Sequence, residues 1–307
     1  MFASLWIVTT IVAAGAQSLR NALQRSLTVT LGTIGATHVR FLFGLPFALL
    51  FLAGVLVVTG ERPVPSLAFW GWAGLGGVGQ IAATACMLHA MRDRSFLVTI
   101  AYTKTEPVQV ALFGLAFLGE VPSVIAMVSI AVATTGVMIL SWPRGGGAGG
   151  GLLARSDGGE PAGWGAAVLG ITAGGFFGLS AVFFKGAIRA AGTEHFVAAA
   201  TTALAASLAI QTLVLTLWLL ARDRAVLWAI AKAWRPSVGA GFLGAFASQM
   251  WFLGFALAPV AAVRTLGLIE ILYAQVLSRG MLKERPTARE LFGIALLIAG
   301  VIGVLQG

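Results

Sequence analysis

The sequence has little charge. Only 10% of its 307 residues are Asp, Glu, Lys or Arg, whereas 58% are hydrophobic; soluble domains carry roughly 25% charged residues. So many apolar runs exclude a soluble helical protein, which has nowhere to bury them. The net charge of +9 does not indicate a nucleic-acid partner, because most basic residues lie in short gaps between the apolar runs. That distribution is typical of a polytopic membrane protein.

Cysteine and enzyme motifs are also scarce. Cys86 is the single cysteine, which excludes a disulfide within the chain and a thiolate metal cluster. The sequence has no HExxH, no paired CxxC, no Gly-x-Ser-x-Gly and no phosphate loop. We therefore expect no enzyme, no cofactor and no metal. An intramembrane enzyme acting on lipid is the less favoured alternative.

Apolar runs long enough to cross a bilayer recur along the whole chain. A helix needs about 20 apolar residues to span the hydrocarbon. By that measure we predict an all-α polytopic membrane protein with about ten transmembrane helices. The predicted spans one to ten are Ser4–Leu23, Thr33–Val58, Leu67–Met91, Ser95–Leu118, Val121–Trp142, Gly163–Ile188, Thr193–Leu220, Val238–Leu257, Pro259–Leu282 and Ala288–Leu305.

The chain contains an internal repeat. The stretch Gly119–Ser123 recurs at Leu282–Thr287, and a shift of about 164 residues lays Glu106 on Glu270. We divide the chain into a first five-helix repeat at residues 1–143, a glycine-rich linker at 144–161 and a second five-helix repeat at 162–307. Five spans is an odd number, so the second half enters the membrane from the opposite side. The repeats are therefore predicted to be inverted, as in many transporters.

The basic residues predict an orientation. Fourteen of them lie in or at the edge of the gaps after odd-numbered spans, and three lie in the gaps after even-numbered spans. The positive-inside rule then places the odd-numbered gaps in the cytoplasm and both termini outside.

Two carboxylates sit at membrane depth, where an ionisable group needs a partner or a wet cavity. Glu106 and Glu270 occupy equivalent positions of the two repeats. Either they bind substrate or a proton, or they form structural ion pairs with Lys104 or Arg264. Pro107 is expected to break the helix beside Glu106, whereas the helix at Glu270 is expected to run unbroken. On that ground Glu106 is expected to matter more.

Other polar and aromatic residues follow the same interior faces. Span one has a polar face, and the equivalent face of span six is aromatic. A cavity with one polar and one aromatic wall suits an amphipathic solute. Spans one, three, four, six, eight and nine are expected to supply the interior. Arg20 has the alternative of snorkelling to the interface. The candidate substrate-binding residues are Gln17, Arg20, Asn21, Arg40, Gln80, Thr84, Tyr102, Lys104, Glu106, Phe177, Ser248, Trp251, Arg264, Glu270 and Tyr273.

The charges among these candidates predict the kind of solute. Four basic groups face two carboxylates, a formal excess of +4 − 2 = +2. Guanidinium groups pair oxyanions bidentately, so we expect an anionic or zwitterionic organic metabolite, with amino-acid-like solutes first.

The chain resembles EamA-type members of the drug/metabolite transporter superfamily. The resemblance rests on Glu106-Pro107, on Gly119–Ser123, on Glu270 and on Glu284–Thr287. It implies a secondary transporter of small organic solutes. Quaternary amines, drugs and lipid-linked metabolites are the alternative substrates within that fold. Members of the family usually have cytoplasmic termini, unlike the orientation predicted above.

The resemblance and the composition together predict the surroundings of the chain. The abundance of alanine and glycine fits a high-GC bacterium, so we expect a multi-pass protein of the bacterial inner membrane. The expected partners are a small-molecule substrate, the lipid bilayer and a proton or other coupling ion, without nucleic acid. The chain is expected to be a monomer or a homodimer.

Overall fold

The computed structural model describes residues 4–93, 102–141, 164–273 and 287–306, and within these ranges the chain is helical and has no strand. We number the helices in chain order. They are α1 (Leu5–Leu42), α2 (Gly44–Thr59), α3 (Leu67–Asp93), α4 (Glu106–Leu118), α5 (Val124–Ser141), α6 (Trp164–Arg189), α7 (Phe196–Arg222), α8 (Arg224–Lys232), α9 (Trp234–Leu257), α10 (Val260–Leu266) and α11 (Ala288–Gln306).

The first helix differs from the sequence prediction, which ended span one at Leu23. Helix continues to Leu31 and resumes after Gly32, whose φ of 65° is left-handed and leaves the helical conformation. Gln24 Nε2 donates to the carbonyl of Ala36 over 2.9 Å. Twelve residues of continuous helix would separate those groups by about 18 Å, so the chain folds back at Gly32. The sequence analysis assigned Gln24 to a gap because it is polar. It lies in the helix, where its side chain is hydrogen-bonded to the returning part of α1.

An amphipathic helix that the sequence analysis assigned to a gap lies between spans seven and eight. Helix α8 contributes the buried Ile230 and the partly buried Val226 to an apolar cluster with Leu27 and Leu31 of α1. Its other face is exposed, including Trp228. Nine residues are too few to cross a bilayer, so apolar length alone could not reveal α8.

Both helices that carry the membrane-depth carboxylates are interrupted at equivalent places. A turn at Lys104–Thr105 precedes α4, which has proline in its first turn. In the second repeat a 3₁₀ segment, Gly267–Ile269, separates α10 from Glu270. The prediction of an unbroken helix at Glu270 is therefore wrong, and no proline is required for the interruption.

The packing of the helices has an internal two-fold symmetry. The most extensive contacts join α3 with α6, α1 with α9, and α5 with α11. Between the repeats α1 corresponds to α6, α3 to α9 and α5 to α11. The contact of α3 with α6 therefore corresponds to that of α9 with α1, and the contact of α5 with α11 corresponds to itself. Small residues make the third contact: an added Cβ at Gly136 would lie 2.6 Å from the amide nitrogen of Leu297, and one at Gly300 would lie 2.5 Å from that of Ala133. A shift of 164 residues relates these two contacts.

Several helices have the length and composition to cross a membrane. Among the described residues the segments of sufficient length and apolarity are Ser26–Thr59, Val168–Arg189, Phe196–Arg222, Trp234–Leu257 and Ala288–Gln306. Helices α4 and α5 are shorter and also apolar. The chain is thus an all-α polytopic membrane protein built from two five-helix repeats, and the odd number per repeat makes them inverted.

Candidate functional site

A cavity of about 360 Å³ lies between the two repeats. Its walls come from predicted spans one, three, four, six, eight and nine, and the rest of α1 adds Gln24, Thr28, Thr33 and Arg40. The volume falls in the range of sites for small organic ligands, which is about 300–1,000 Å³. The interior faces that the polar pattern predicted therefore meet around one space.

Thirteen of the fifteen candidate residues line this cavity, and they come from both repeats. They are Gln17, Arg20, Asn21, Arg40, Gln80, Thr84, Lys104, Glu106, Phe177, Ser248, Trp251, Arg264 and Glu270.

The other two candidates, Tyr102 and Tyr273, are not among the lining residues. Tyr102 precedes the turn before α4, so the helical spacing that related it to Glu106 does not hold. Tyr273 is 38% exposed, and its ring lies beside Gly15.

The two carboxylates form ion pairs across the repeats. Lys104 Nζ of the first repeat lies 3.1 Å from Glu270 Oε2 of the second, and Arg264 of the second repeat pairs with Glu106 of the first. All four side chains are mostly buried. The ion pairs that the sequence left as an alternative are therefore present, and they brace the halves against each other at the cavity wall.

Arg20 and Arg40 face the cavity without such a partner. They are 5% and 7% exposed, and within the described ranges no carboxylate lies within 4 Å of either guanidinium group. Arg20 Nη2 donates to Asn21 Oδ1 over 2.7 Å, but among the described residues Arg20 Nε and Nη1 and Arg40 Nε have no hydrogen-bond partner. Arg20 is thus buried at the cavity wall, which disfavours the snorkelling alternative.

The fold-back at Gly32 brings these two arginines together. Both stems cross α9 at Gly244, where an added Cβ would lie 3.1 Å from Arg40 Cγ and 3.6 Å from Arg20 Cδ. Twenty residues separate them in sequence, and only the reversal of the chain places them side by side. The sequence alone could not show this proximity.

The model of the EamA-like transporter family matches residues 2–142 and 164–306, which is nearly the whole chain. The chain belongs to the EamA-like transporter family. A solved crystal structure of a protein shares the fold with a TM-score of 0.70, covering 98% of this chain and 95% of that chain at 15% sequence identity. A search among curated proteins finds no significant match.

In this EamA-like transporter Glu270 is the centre of a polar network. Its carboxylate accepts hydrogen bonds from Gln17 Nε2 at 2.8 Å and from Asn21 Nδ2 at 3.1 Å, in addition to Lys104. Trp251 Nε1 donates to Gln17 Oε1 over 3.1 Å. Asn21 also accepts from Arg20, so the network fixes one edge of the arginine pair.

An aromatic wall completes the cavity of the transporter. The ring centroids of Phe184 and Phe252 are 4.8 Å apart, and those of Phe252 and Phe255 are 6.2 Å apart. The guanidinium carbon of Arg264 lies 4.9 Å from the ring centroid of Trp251, within the range of a cation–π contact. We call Phe184, Trp251, Phe252 and Phe255 the aromatic wall.

Sequence reasoning missed part of this site. Phe252 and Phe255 line the cavity but are indistinguishable in sequence from residues that pack between apolar helices. Gln211, 1% exposed in α7, donates to Gln80 Oε1 over 2.7 Å and fixes that side chain. A single glutamine within an apolar span was the available signal for it.

A second charged group lies away from the cavity. Glu120 Oε1 is 2.6 Å from Lys185 Nζ and 2.8 Å from an Arg189 nitrogen, while Glu120 Oε2 accepts from the Val260 amide. Lys185 also donates to the carbonyl of Ala258 over 2.7 Å. We call Glu120, Lys185 and Arg189 the Glu120 cluster. It ties the turn after α4 to the end of α6 and to the connection between α9 and α10.

Proposed function

We propose that the chain is a secondary transporter of the bacterial inner membrane that moves a small anionic or zwitterionic organic metabolite by alternating access between its inverted repeats. The solute binds in the central cavity, in contact with the thirteen candidate residues that line it. The observation that carries the proposal is the pair of buried guanidinium groups, Arg20 and Arg40, which have free N–H donors and no carboxylate partner in the part of the chain that the structure describes.

The energetics favour an anion as the missing partner. An arginine at membrane depth costs about 3 kcal/mol even on the lenient insertion scale, and an unpaired one is retained for function. A carboxylate or phosphate on a solute would accept the free N–H groups of Arg20 and Arg40 through charge-assisted hydrogen bonds. The charge that is uncompensated in the empty cavity is then compensated in the loaded one.

The alternative substrates fit the charges less well. A quaternary amine needs an aromatic cage with a free negative charge nearby. Aromatic rings are present, but Glu106 and Glu270 are already paired with Arg264 and Lys104. A cation would enter a cavity whose formal charge is already +2.

Transport by purified protein in proteoliposomes tests the proposal. The labelled solutes are glutamate, phenylalanine, phosphoenolpyruvate and choline. At least one of the first three should accumulate saturably, whereas choline should not. Arg20→Gln and Arg40→Gln should each lower uptake at least tenfold, whereas Arg62→Gln, at an exposed arginine outside the cavity, should leave it unchanged. Uptake of choline alone would contradict the proposal, as would chemical conversion of the solute.

A further inference from the structure

Resting on the proposed function, we infer that the cavity takes a doubly charged oxyanion carrying an apolar body: a phosphate monoester or equivalent dianion whose head lies at Arg20 and Arg40 and whose body lies on the aromatic wall. The inference narrows the solute class by its charge and by its apolar body.

Charge comes first. The charges of Lys104 and Arg264 are compensated by Glu270 and Glu106. Within the described ranges, the uncompensated charge of the site is therefore that of two arginines. A monocarboxylate would leave one guanidinium without a counter-charge. A zwitterion would add a positive group to a site whose two carboxylates are already engaged. A phosphate monoester carries about −1.5 to −2 at neutral pH and offers three acceptor oxygens, which matches two guanidinium groups with free N–H donors.

The second requirement is an apolar body. The aromatic wall borders the same cavity as the arginines, with Phe177 beside it. Apolar surface moved from water onto such a wall contributes favourable free energy in proportion to its area. Inorganic phosphate would leave the aromatic wall in contact with water, so it would gain no free energy from apolar burial.

Helix α9 orders the two ends of the site. The arginine stems cross it at Gly244, and Trp251 of the aromatic wall follows seven residues later, with the cavity residue Ser248 between them. The charged head and the apolar body of the solute therefore occupy successive positions along this helix.

Binding of four small probes to the purified full-length protein in detergent tests the inference. Phenyl phosphate has both ring and dianion; inorganic phosphate lacks the ring, phenylacetate has a single charge, and phenyltrimethylammonium is a cation. By isothermal titration calorimetry, phenyl phosphate should bind at least tenfold tighter than each of the others. Equal dissociation constants for phenyl phosphate and phenylacetate would overturn the assignment of a dianion. Equal constants for phenyl phosphate and inorganic phosphate would overturn the assignment of an apolar body.

Variants localise the two ends of the probe. Arg40→Gln should weaken phenyl phosphate at least tenfold and reduce its advantage over phenylacetate, and Phe252→Leu should weaken phenyl phosphate while leaving inorganic phosphate unchanged. Arg40→Lys keeps the charge and provides a folded comparison if the glutamine variant is unstable. Arg62→Gln is the control and should change nothing. If Arg40→Gln and Arg40→Lys both bind phenyl phosphate like the parent protein, the placement of the head is wrong.

The inference and the proposed function fail separately. Saturable uptake of carboxylates in proteoliposomes without tight binding of phenyl phosphate would overturn the inference and leave the transporter proposal standing. Tight, arginine-dependent binding of phenyl phosphate without transport of any anion would support the assigned site and overturn the transporter proposal.

Discussion

At Glu270, donors from α1 and from the segment before α4 converge on one carboxylate: Gln17, Asn21 and the ammonium group of Lys104. Glu106 instead faces Arg264, which also lies over the Trp251 ring. If Glu106 loses its charge, Arg264 keeps its cation–π contact with the Trp251 ring. If Glu270 loses its charge, Lys104 has no carboxylate partner among the described residues. These contacts favour Glu270 as the more important carboxylate, the opposite of the order expected from Pro107.

We therefore expect Glu270→Gln to lower the initial rate of uptake in proteoliposomes at least tenfold, and at least as much as Glu106→Gln does. Breaking a buried ion pair by removing one partner destabilises by about 3–5 kcal/mol, whereas removing both partners is milder. The double variant Lys104→Gln/Glu270→Gln should therefore recover protein stability relative to Glu270→Gln. A mild effect of Glu270→Gln together with a severe effect of Glu106→Gln would contradict the prediction.

Among the helices, the contact between α5 and α11 depends most directly on small residues. An added Cβ at Gly136 would meet the backbone of Leu297 and of Gly293, and backbone atoms cannot turn aside as a side chain can. Glycine and other small residues at such crossings allow close approach in lipid, where packing drives association.

Gly136→Ala should therefore destabilise the protein by about 1–3 kcal/mol, the usual range for overpacking. Thermal unfolding in detergent, followed by circular dichroism, should show a lower midpoint. The matched control is Gly54→Ala on the exposed face of α2, where an added Cβ meets nothing within 4 Å and replaces a poor helix former. An unchanged midpoint for Gly136→Ala would show that the two helices can move apart without loss of protein stability, which would contradict the prediction.

For the helices, the sequence predicted the features that depend on the length and periodicity of apolar runs. Apolar length predicted α3, α6 and α11 closely, because each is a single apolar run bounded by polar residues. It could not predict the fold-back at Gly32 or the 3₁₀ segment before Glu270, since both depend on packing between the repeats. The polar stripes predicted thirteen cavity residues, but the proximity of Arg20 and Arg40 required the three-dimensional path of α1.

Over the whole molecule the two faces differ in charge. A space beside the Glu120 cluster is also lined by Trp6 near the start of the chain and by Leu305 near its end, so both terminal helices end on that face. Among the described residues, the basic Arg222, Arg224, Lys232 and Arg235 lie at or between the opposite ends of α7 and α9. By the positive-inside rule we expect the face with the termini to lie outside the cytoplasm.

A reporter that becomes fluorescent only in the cytoplasm, fused after Gly307, should therefore stay dark in intact bacteria. A periplasmic reporter enzyme at the same place should be active, and a cytoplasmic reporter inserted at Gly147, in the linker, should be bright. Bright cells from the fusion after Gly307 would contradict the prediction and support cytoplasmic termini.

The Glu120 cluster and the cavity lie at different depths of this arrangement. The cavity lining reaches Thr28 and Thr33 at the fold-back of α1 and Met87 near the end of α3. On the opposite face the cluster joins three segments through charge-assisted bonds. We expect it to hold that face closed while the cavity is open toward the basic side, so weakening it should raise access from the terminal face.

Glu120→Gln removes the charge that two cations share, which should increase the fraction of molecules open on the terminal face. Phe177→Cys in a Cys86→Ser background places one thiol on the cavity wall. An impermeant maleimide added to intact cells should label it at least threefold faster when Glu120→Gln is also present. Glu61→Gln is the matched control, since Glu61 accepts from Thr193 and belongs to no ion pair among the described residues. Equal labelling rates for both variants would show that the cluster stabilises the fold without closing this face.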